Sequence, residues 1–229
     1  MQRVDYADGD MPLVGHYARP TGSTRAAVAV FPTFMNVTPG VRAKAERLVE
    51  AGYAVLIGDF YGTATPATPQ EAFGAMQKAR SDAGAFRTRL RATLSKLREL
   101  EPDVTQLAIG FCLGGFAVLE MARDGQDLAA VASFHGLLST DLPARDAIAT
   151  RMLICHGDAD SLVPRQQVTD FWEEMDGVQT DWHFHSYRGV EHGFTNPTGL
   201  NGQPNPAYDA SADRQSWAAM HAFFDEVLG

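Results

Sequence analysis

The chain of 229 residues is long enough for one domain with a substantial core, and its hydrophobic and charged fractions, 45% and 21%, are typical of globular proteins. The formal net charge of −9 argues against nucleic acid or an anionic membrane as a partner. We expect no signal peptide and no membrane span, since no segment reaches the ~18 apolar residues that a span requires. The two cysteines, Cys112 and Cys155, do not make a disulfide framework, so we expect a cytoplasmic protein with free thiols.

Short runs rich in valine, isoleucine and alanine alternate with helical patterns along the chain. Strands are predicted at 26–31, 53–57, 105–111, 129–134, 151–156 and 180–187. Helices are predicted at 39–51, at 70–100 with a break near 81–84, and at 114–123, 165–175 and 210–228. Thr38 and Pro39 are expected as the N-cap and first residue of the first helix. The segments 58–69 and 189–206 are expected to be loops.

These elements predict an α/β fold for a single domain over 1–229. Strands that are apolar throughout and alternate with helices form a mostly parallel sheet covered by helices on both faces. A segment around 13–18 is expected to add an antiparallel edge strand. In the helix at 70–100, Arg87, Arg91 and Arg98 fall off the leucine stripe and are expected to be solvated. Chemistry in such sheets collects at the carboxyl ends of the strands.

The strand at 105–111 ends in the segment GFCLGG at 110–115, which leads directly into a helix. This pattern is typical of a nucleophile elbow with cysteine in place of serine. Gly110 and Gly114 keep the tight turn free of side chains. The helix N-terminus places a dipole and free N–H groups beside Cys112, which stabilise a thiolate. The alternative is that Cys112 is a small buried apolar residue.

An acid and a histidine follow in the order that α/β-hydrolases use. Asp160 lies just past the strand at 151–156, where a carboxylate can orient a histidine, with Asp158 as its competitor. His192 lies in the loop after the strand at 180–187. The sequence therefore predicts a Cys112–His192–Asp160 triad.

Two backbone N–H groups are needed to bind the oxyanion of an acyl-transfer intermediate. We expect them from Leu113, directly after the nucleophile, and from Phe34, in the loop after the first buried strand. His135 lies at a strand end and is a candidate for the pocket wall. His183 and His185 share a face of one strand, but no third ligand at a suitable spacing supports a metal site.

The chain resembles the dienelactone hydrolase family (carboxymethylenebutenolidases) over nearly its whole length. The matching segments are GFCLGG at 110–115, CHGDADSLVP at 155–164, GVEHGF at 189–194, AVFPTF at 29–34 and AGYAVLIGDFYG at 51–62. The resemblance implies hydrolysis of a small cyclic enol-lactone, in which Cys112 attacks, His192 transfers protons and Asp160 orients it. It implies neither a metal nor an organic cofactor.

The sequence departs from well-known members of that family at two pocket positions. Thr33 stands where they carry a glutamate that manages the resting thiol, and Asn196 lies near the place of an arginine that grips the substrate. Together with His135 and Phe194, these residues are the predicted substrate pocket.

Other functions fit the same elbow. A general carboxylesterase or thioesterase would use the same mechanism. A non-catalytic scaffold that binds a small ligand, or a peroxide-sensing thiol, would keep the cysteine without the hydrolysis. Rapid labelling of Cys112 by a thiol reagent near neutral pH would separate a reactive thiol from an inert core residue.

Overall fold

The structure is a computed structural model that describes residues 1–62 and 66–229. Residues 63–65, within the predicted loop 58–69, lie outside the described residues. The strands are β1 (Gln2–Asp8), β2 (Met11–Ala18), β3 (Ala27–Phe31), β4 (Ala54–Ile57), β5 (Gln106–Phe111), β6 (Ala130–Phe134), β7 (Arg151–Gly157) and β8 (Trp182–Tyr187). The helices are α1 (Pro39–Glu50), α2 (Pro69–Arg80), α3 (Ala83–Leu100), α4 (Leu113–Arg123), α5 (Arg165–Gly177) and α6 (Ala210–Leu228).

The described strands form one eight-stranded sheet with the order β1-β2-β4-β3-β5-β6-β7-β8. Strands β3 to β8 are parallel to one another. β1 and β2 form an antiparallel hairpin, and β2 joins the sheet by pairing antiparallel with β4. The predicted α/β fold with a mostly parallel sheet is confirmed. The predicted edge segment is β2, and β1 extends the sheet by a strand that the sequence did not predict.

Helices cover both faces of the sheet because the central strands are apolar on both sides. α1 and α6 pack on one face, where Trp217, Met220 and Phe224 of α6 are buried. α3, α4 and α5 pack on the other face, where the predicted leucine stripe of α3 is buried. α4 is buried at every residue from Leu113 to Arg123, so its N-terminus is fixed inside the molecule.

Local sequence signals set the helix ends. Thr38 caps α1 by accepting from the Val41 N–H, and Pro39 is the first helical residue, as predicted. The predicted break in the long helical segment lies at Ser81–Asp82, because Asp82 caps α3 by accepting from the Ala85 N–H at 2.9 Å.

The prediction that Arg87 is solvated is wrong. Its side chain is 10% exposed and donates to Glu120 of α4 at 2.9 Å. Glu120 also accepts from Arg123 at 3.0 Å, and Arg123 in turn donates to Glu174 of α5 at 2.7 Å. Helical spacing placed Arg87 off the apolar stripe of α3. The ion pairs that α4 offers make its burial favourable despite its charge.

No helix among residues 1–62 and 66–229 is long and apolar enough to cross a membrane.

Candidate active site

The predicted nucleophile lies at a strained turn between β5 and α4. Cys112 has a φ of 55° and a ψ of −113°, a conformation that side-chain-bearing residues rarely adopt. Its N–H donates to the Phe134 carbonyl at 3.0 Å and to Nδ1 of His135 at 3.1 Å. These bonds from the end of β6 hold the elbow, and the half-buried Cys112 side chain stands at the N-terminus of α4.

The two glycines flanking Cys112 allow neighbouring segments to approach closely. A Cβ at Gly110 would lie 1.9 Å from the carbonyl oxygen of Gly114. A Cβ at Gly114 would lie 1.9 Å from the carbonyl oxygen of Phe31, at the end of β3. Only glycine fits at either position, so the GFCLGG pattern brings the loop after β3 against the start of α4.

The structure brings His192 and Asp160 into direct contact. Nδ1 of His192 and Oδ2 of Asp160 are 2.7 Å apart, and the Asp160 side chain is fully buried. The other carboxylate oxygen accepts from the Leu162 N–H at 2.9 Å. Asp158 instead pairs with the exposed Arg165 at 2.9 Å. The geometry therefore favours Asp160 over Asp158 as the partner of the histidine.

The environment of His192 favours the imidazolium. Burial desolvates the ring and by itself lowers the pKa of His192. The hydrogen bond to Asp160 and the neighbouring Cys112 outweigh it and raise that pKa to about 10. Nε2 is buried and makes no hydrogen bond of good geometry with the described residues. A proton on Nδ1 is fixed by Asp160, so Nε2 is the nitrogen left to exchange protons.

Both expected oxyanion donors border the elbow. Leu113 is the first residue of α4, where backbone N–H groups have no partner within the helix. Phe34 lies in a turn closed by a bond from the Asn36 N–H to the Thr33 carbonyl at 2.9 Å. The hydroxyl of Tyr61 donates to the Phe34 carbonyl at 2.9 Å and fixes this turn. The oxyanion assignment stays a prediction that this arrangement favours.

A cavity of about 380 Å³ opens beside the elbow, between the N-terminal turn of α1 and the loop after His192. Thr33 and Asn196 line it, together with Phe111, which precedes the nucleophile. The other two predicted pocket residues lie deeper. His135 and Phe194 are 1% and 0% exposed and pack edge to face with ring centroids 5.3 Å apart.

His135, which the sequence placed in the substrate pocket, and Lys44, which it did not assign, lie behind the triad. His135 accepts the Cys112 N–H, and its ring packs edge-on against the His192 ring at 5.1 Å. Burial, followed by the charges of His192 and Lys44, lowers the pKa of His135 well below its ordinary value. Lys44 stands among the buried positions of α1, Val41, Ala45 and Leu48. A lysine at a helical position otherwise occupied by apolar residues is the sequence signal by which Lys44 could have been found.

The described residues contain no group of three or more histidine, cysteine, aspartate or glutamate side chains placed to hold a metal ion. His183 and His185 lie on β8, and His183 packs against the Phe223 ring at 5.5 Å. Its Nε2 lies 3.7 Å from Asp181.

The sequence model of the dienelactone hydrolase family matches residues 13–228, which is nearly the whole chain. The chain belongs to the dienelactone hydrolase family.

Similar proteins agree with this membership. A dienelactone hydrolase-like promiscuous phosphotriesterase from metagenomic libraries is 33% identical and superimposes with a TM-score of 0.90, covering 100% of this chain and 98% of that one. An uncharacterized protein of Caenorhabditis elegans is 36% identical over 63% of this chain and 96% of its own length. A carboxymethylenebutenolidase homolog of Mus musculus is 23% identical over 76% of this chain and 72% of its own length.

Proposed function

We propose that this member of the family hydrolyses small esters or lactones through a thioester on Cys112. The observation that carries the proposal is the 2.7 Å contact between His192 and the fully buried Asp160, beside a cysteine on a strained elbow. A core cysteine has no need of a positive φ or of a hydrogen-bonded histidine–aspartate pair beside it. The arrangement instead suits a thiolate–imidazolium pair.

The reaction begins when the Cys112 sulfur attacks the carbonyl carbon and the carbonyl oxygen takes up the negative charge. The N–H groups of Leu113 and Phe34 stabilise that oxyanion. The intermediate collapses, the carbon–oxygen bond to the leaving group breaks, and Nε2 of His192 protonates the departing oxygen. Asp160 keeps the proton on Nδ1 throughout.

Water completes the cycle. The now neutral His192 removes a proton from water, and the resulting hydroxide attacks the thioester carbonyl. The second tetrahedral intermediate expels the Cys112 thiolate and releases the acid, which restores the thiolate–imidazolium pair. Every proton moves through His192, and no step calls for a metal or an organic cofactor.

The cavity beside the elbow suits a small substrate. Its volume of about 380 Å³ is at the lower end for small-molecule pockets, and its lining is mainly apolar. Phe111 lines this cavity but Cys112 and His192 do not, so we assign to it a part of the ester or lactone away from the reacting carbonyl. Thr33 and Asn196 are the polar groups in its wall closest in sequence to the oxyanion turn and to His192.

The test is hydrolysis of p-nitrophenyl acetate and of a dienelactone by wild type and by Cys112→Ala. Cys155→Ala is the matched control, because Cys155 is the other cysteine of the chain and lies buried within β7, outside the triad. We expect turnover by wild type and by the control, and none by Cys112→Ala. Undiminished turnover in Cys112→Ala would contradict the proposal.

A second candidate activity is phosphotriester hydrolysis, since a relative that is 33% identical over the whole chain is named for it. Attack by the same thiolate at phosphorus would form a sulfur–phosphorus bond as the bond from phosphorus to the leaving oxygen breaks, and His192 would protonate that oxygen. Water activated by His192 would then cleave the sulfur–phosphorus bond, releasing the phosphodiester and the Cys112 thiolate. Parallel assays with a p-nitrophenyl dialkyl phosphate and with p-nitrophenyl acetate, using the same released chromophore, rank the two activities directly.

A further inference from the structure

Lys44 is a buried lysine that the proposed reaction does not use. It is 7% exposed and lines the cavity beside the elbow. Its Nζ donates to the Thr195 carbonyl at 2.9 Å and to the Asn196 side-chain oxygen at 3.0 Å, and it lies 5.0 Å from the centre of the Phe111 ring. The ammonium therefore joins α1 to the segment that follows His192.

That segment is linked in turn to the nucleophile. The Thr195 hydroxyl lies 2.9 Å from Nε2 of His135, and Nδ1 of His135 accepts the Cys112 N–H at 3.1 Å. Because Nδ1 is the acceptor, the proton of the neutral His135 ring sits on Nε2 and is donated to Thr195. One chain of contacts thus connects Lys44, the histidine loop and the amide of Cys112.

The histidine loop needs such an anchor. It leaves the sheet at the end of β8 and remains irregular until α6, from residue 188 to 209. Gly189 and Gly193, on either side of His192, both have a positive φ. Asn205 provides a second tether, donating to the Asn196 carbonyl at 2.9 Å. The Ala159 N–H donates to the Val190 carbonyl at 2.9 Å, and the Asp209 N–H donates to the Phe194 carbonyl at 3.2 Å. Lys44 adds a charged side-chain tether from α1 to the residues just after Phe194.

We propose that Lys44 is a positioning residue, whose ammonium pins Thr195 and Asn196 and so holds His192 in register with Cys112. The role rests on the proposed hydrolase function, because it serves the triad. A displacement of about 1 Å in a catalytic group is enough to reduce a rate by about 10²-fold, so the anchoring of this loop bears directly on kcat.

The energetic position of Lys44 favours this role over a purely structural one. Burial disfavours the ammonium and lowers the pKa of Lys44 to about 8, with Asp213 of α6 opposing the effect and Arg47 of α1 adding to it. A lysine whose pKa falls on folding destabilises the fold while it is charged. An apolar side chain of similar size is therefore expected to leave stability close to that of wild type.

The experiment compares Lys44→Met, Lys44→Arg and the matched control Lys78→Met, which removes an exposed lysine from α2. kcat and KM for p-nitrophenyl acetate, the melting temperature and the rate of Cys112 alkylation by iodoacetamide are measured for each. We expect Lys44→Met to lower kcat by about tenfold or more and to slow alkylation. The loss in kcat should exceed any change in KM, although Lys44 also lines the cavity, and the melting temperature should stay near wild type. Lys44→Arg should recover most of the loss, and Lys78→Met should match wild type.

The pH profile adds a readout that a structural role would not change. As pH rises through about 8, Lys44 loses its charge, and wild-type kcat should fall. Of the charged groups facing it, Asp213 raises and Arg47 lowers the pKa of Lys44, while His135 stays neutral because burial lowers its pKa. Arginine keeps its charge, so the fall in kcat near pH 8 should be absent in Lys44→Arg. In that variant kcat should fall only near pH 10, where His192 loses its proton.

Each result decides the role. The positioning role would be overturned if Lys44→Met had the same kcat and the same rate of Cys112 alkylation as wild type. A fall in melting temperature of equal size in Lys44→Met and Lys44→Arg, with KM and kcat lost together, would also overturn it and show a structural lysine. If wild type hydrolyses no ester, the proposed function fails separately. The alkylation rates then still decide whether Lys44 controls the environment of Cys112.

Discussion

Replacing Asp160 by asparagine tests the hydrogen bond on which the proposed triad depends. The variant keeps the shape of the side chain but removes its charge. The introduced amide can donate a hydrogen bond to Nδ1 of His192, so the ring proton moves to Nε2. Nε2 is then unable to accept the proton from water that the proposed mechanism requires. Hydrolysis should therefore be lost through the wrong tautomer as well as through the lost charge.

The size of the effect follows from the raised pKa of His192. A pKa of about 10 against the ordinary 6.5 corresponds to about 5 kcal/mol of preference for the imidazolium. Because burial lowers this pKa, the contributions of Asp160 and Cys112 together exceed this net value. An equal share for each makes removal of Asp160 cost at least about 2.5 kcal/mol, or about 70-fold in rate. The tautomer change adds to it, and we expect kcat to fall by about 10²- to 10⁴-fold.

Asp158→Asn is the matched control for this experiment. Asp158 lies two residues away and pairs with the exposed Arg165. Because this pair lies at the surface and outside the proposed triad, kcat should change by less than about fivefold. Steady-state rates with p-nitrophenyl acetate decide the matter. Asp160→Asn at more than half the wild-type kcat, or an equal loss in Asp158→Asn, would refute the assignment of Asp160.

The buried ion pairs, the tight glycine contacts and the charge on the triad histidine each predict a further outcome. Glu120→Gln removes the anion shared by two buried arginines. At a cost of about 3–5 kcal/mol, Tm measured by calorimetry should fall by roughly 6–20 °C, and an unchanged Tm would contradict the network. Gly114→Ala places a Cβ 1.9 Å from the Phe31 carbonyl oxygen and should yield no folded protein. Gly74→Ala is the control, because its Cβ meets nothing within 4 Å, and it should raise Tm slightly. Circular dichroism measures the folded state and Tm of both variants. The raised pKa of His192 stabilises the fold fully below pH 6.5, and this contribution is lost as the pH rises through about 10. Between pH 7 and 10, Tm should therefore fall more in wild type than in Asp160→Asn. Equal changes of Tm with pH in the two proteins would contradict this.

The parts of the fold that depend on local pattern could be predicted from the sequence. Apolar runs placed the central strands, and Thr38 with Pro39 placed the start of α1. β1 escaped prediction because it is largely exposed and alternates polar with apolar residues weakly. Its partner β2 alone showed enough apolar character to be noticed.

The candidate site divides in the same way. The elbow could be predicted because its glycines and Cys112 form a continuous motif whose spacing the turn itself requires. The pairing of His192 with Asp160 could also be predicted, from the order in which α/β-hydrolases place the two residues. Other contacts between distant segments could not. Arg87 is buried because Glu120 lies on a neighbouring helix, and His135 reaches the Cys112 amide because β6 lies beside β5 in the sheet. Such pairings depend on the order of strands and helices, which periodicity does not encode.

The most direct test of the proposed mechanism is to look for the acyl group on Cys112. Wild type is mixed with p-nitrophenyl acetate, quenched in acid during the first turnovers, digested and examined by mass spectrometry. The mechanism predicts an acetyl group on the peptide that contains Cys112, none on Cys155, and neither adduct nor turnover in Cys112→Ala. Steady hydrolysis with Cys112 unmodified, continuing at the same rate in Cys112→Ala, would contradict it.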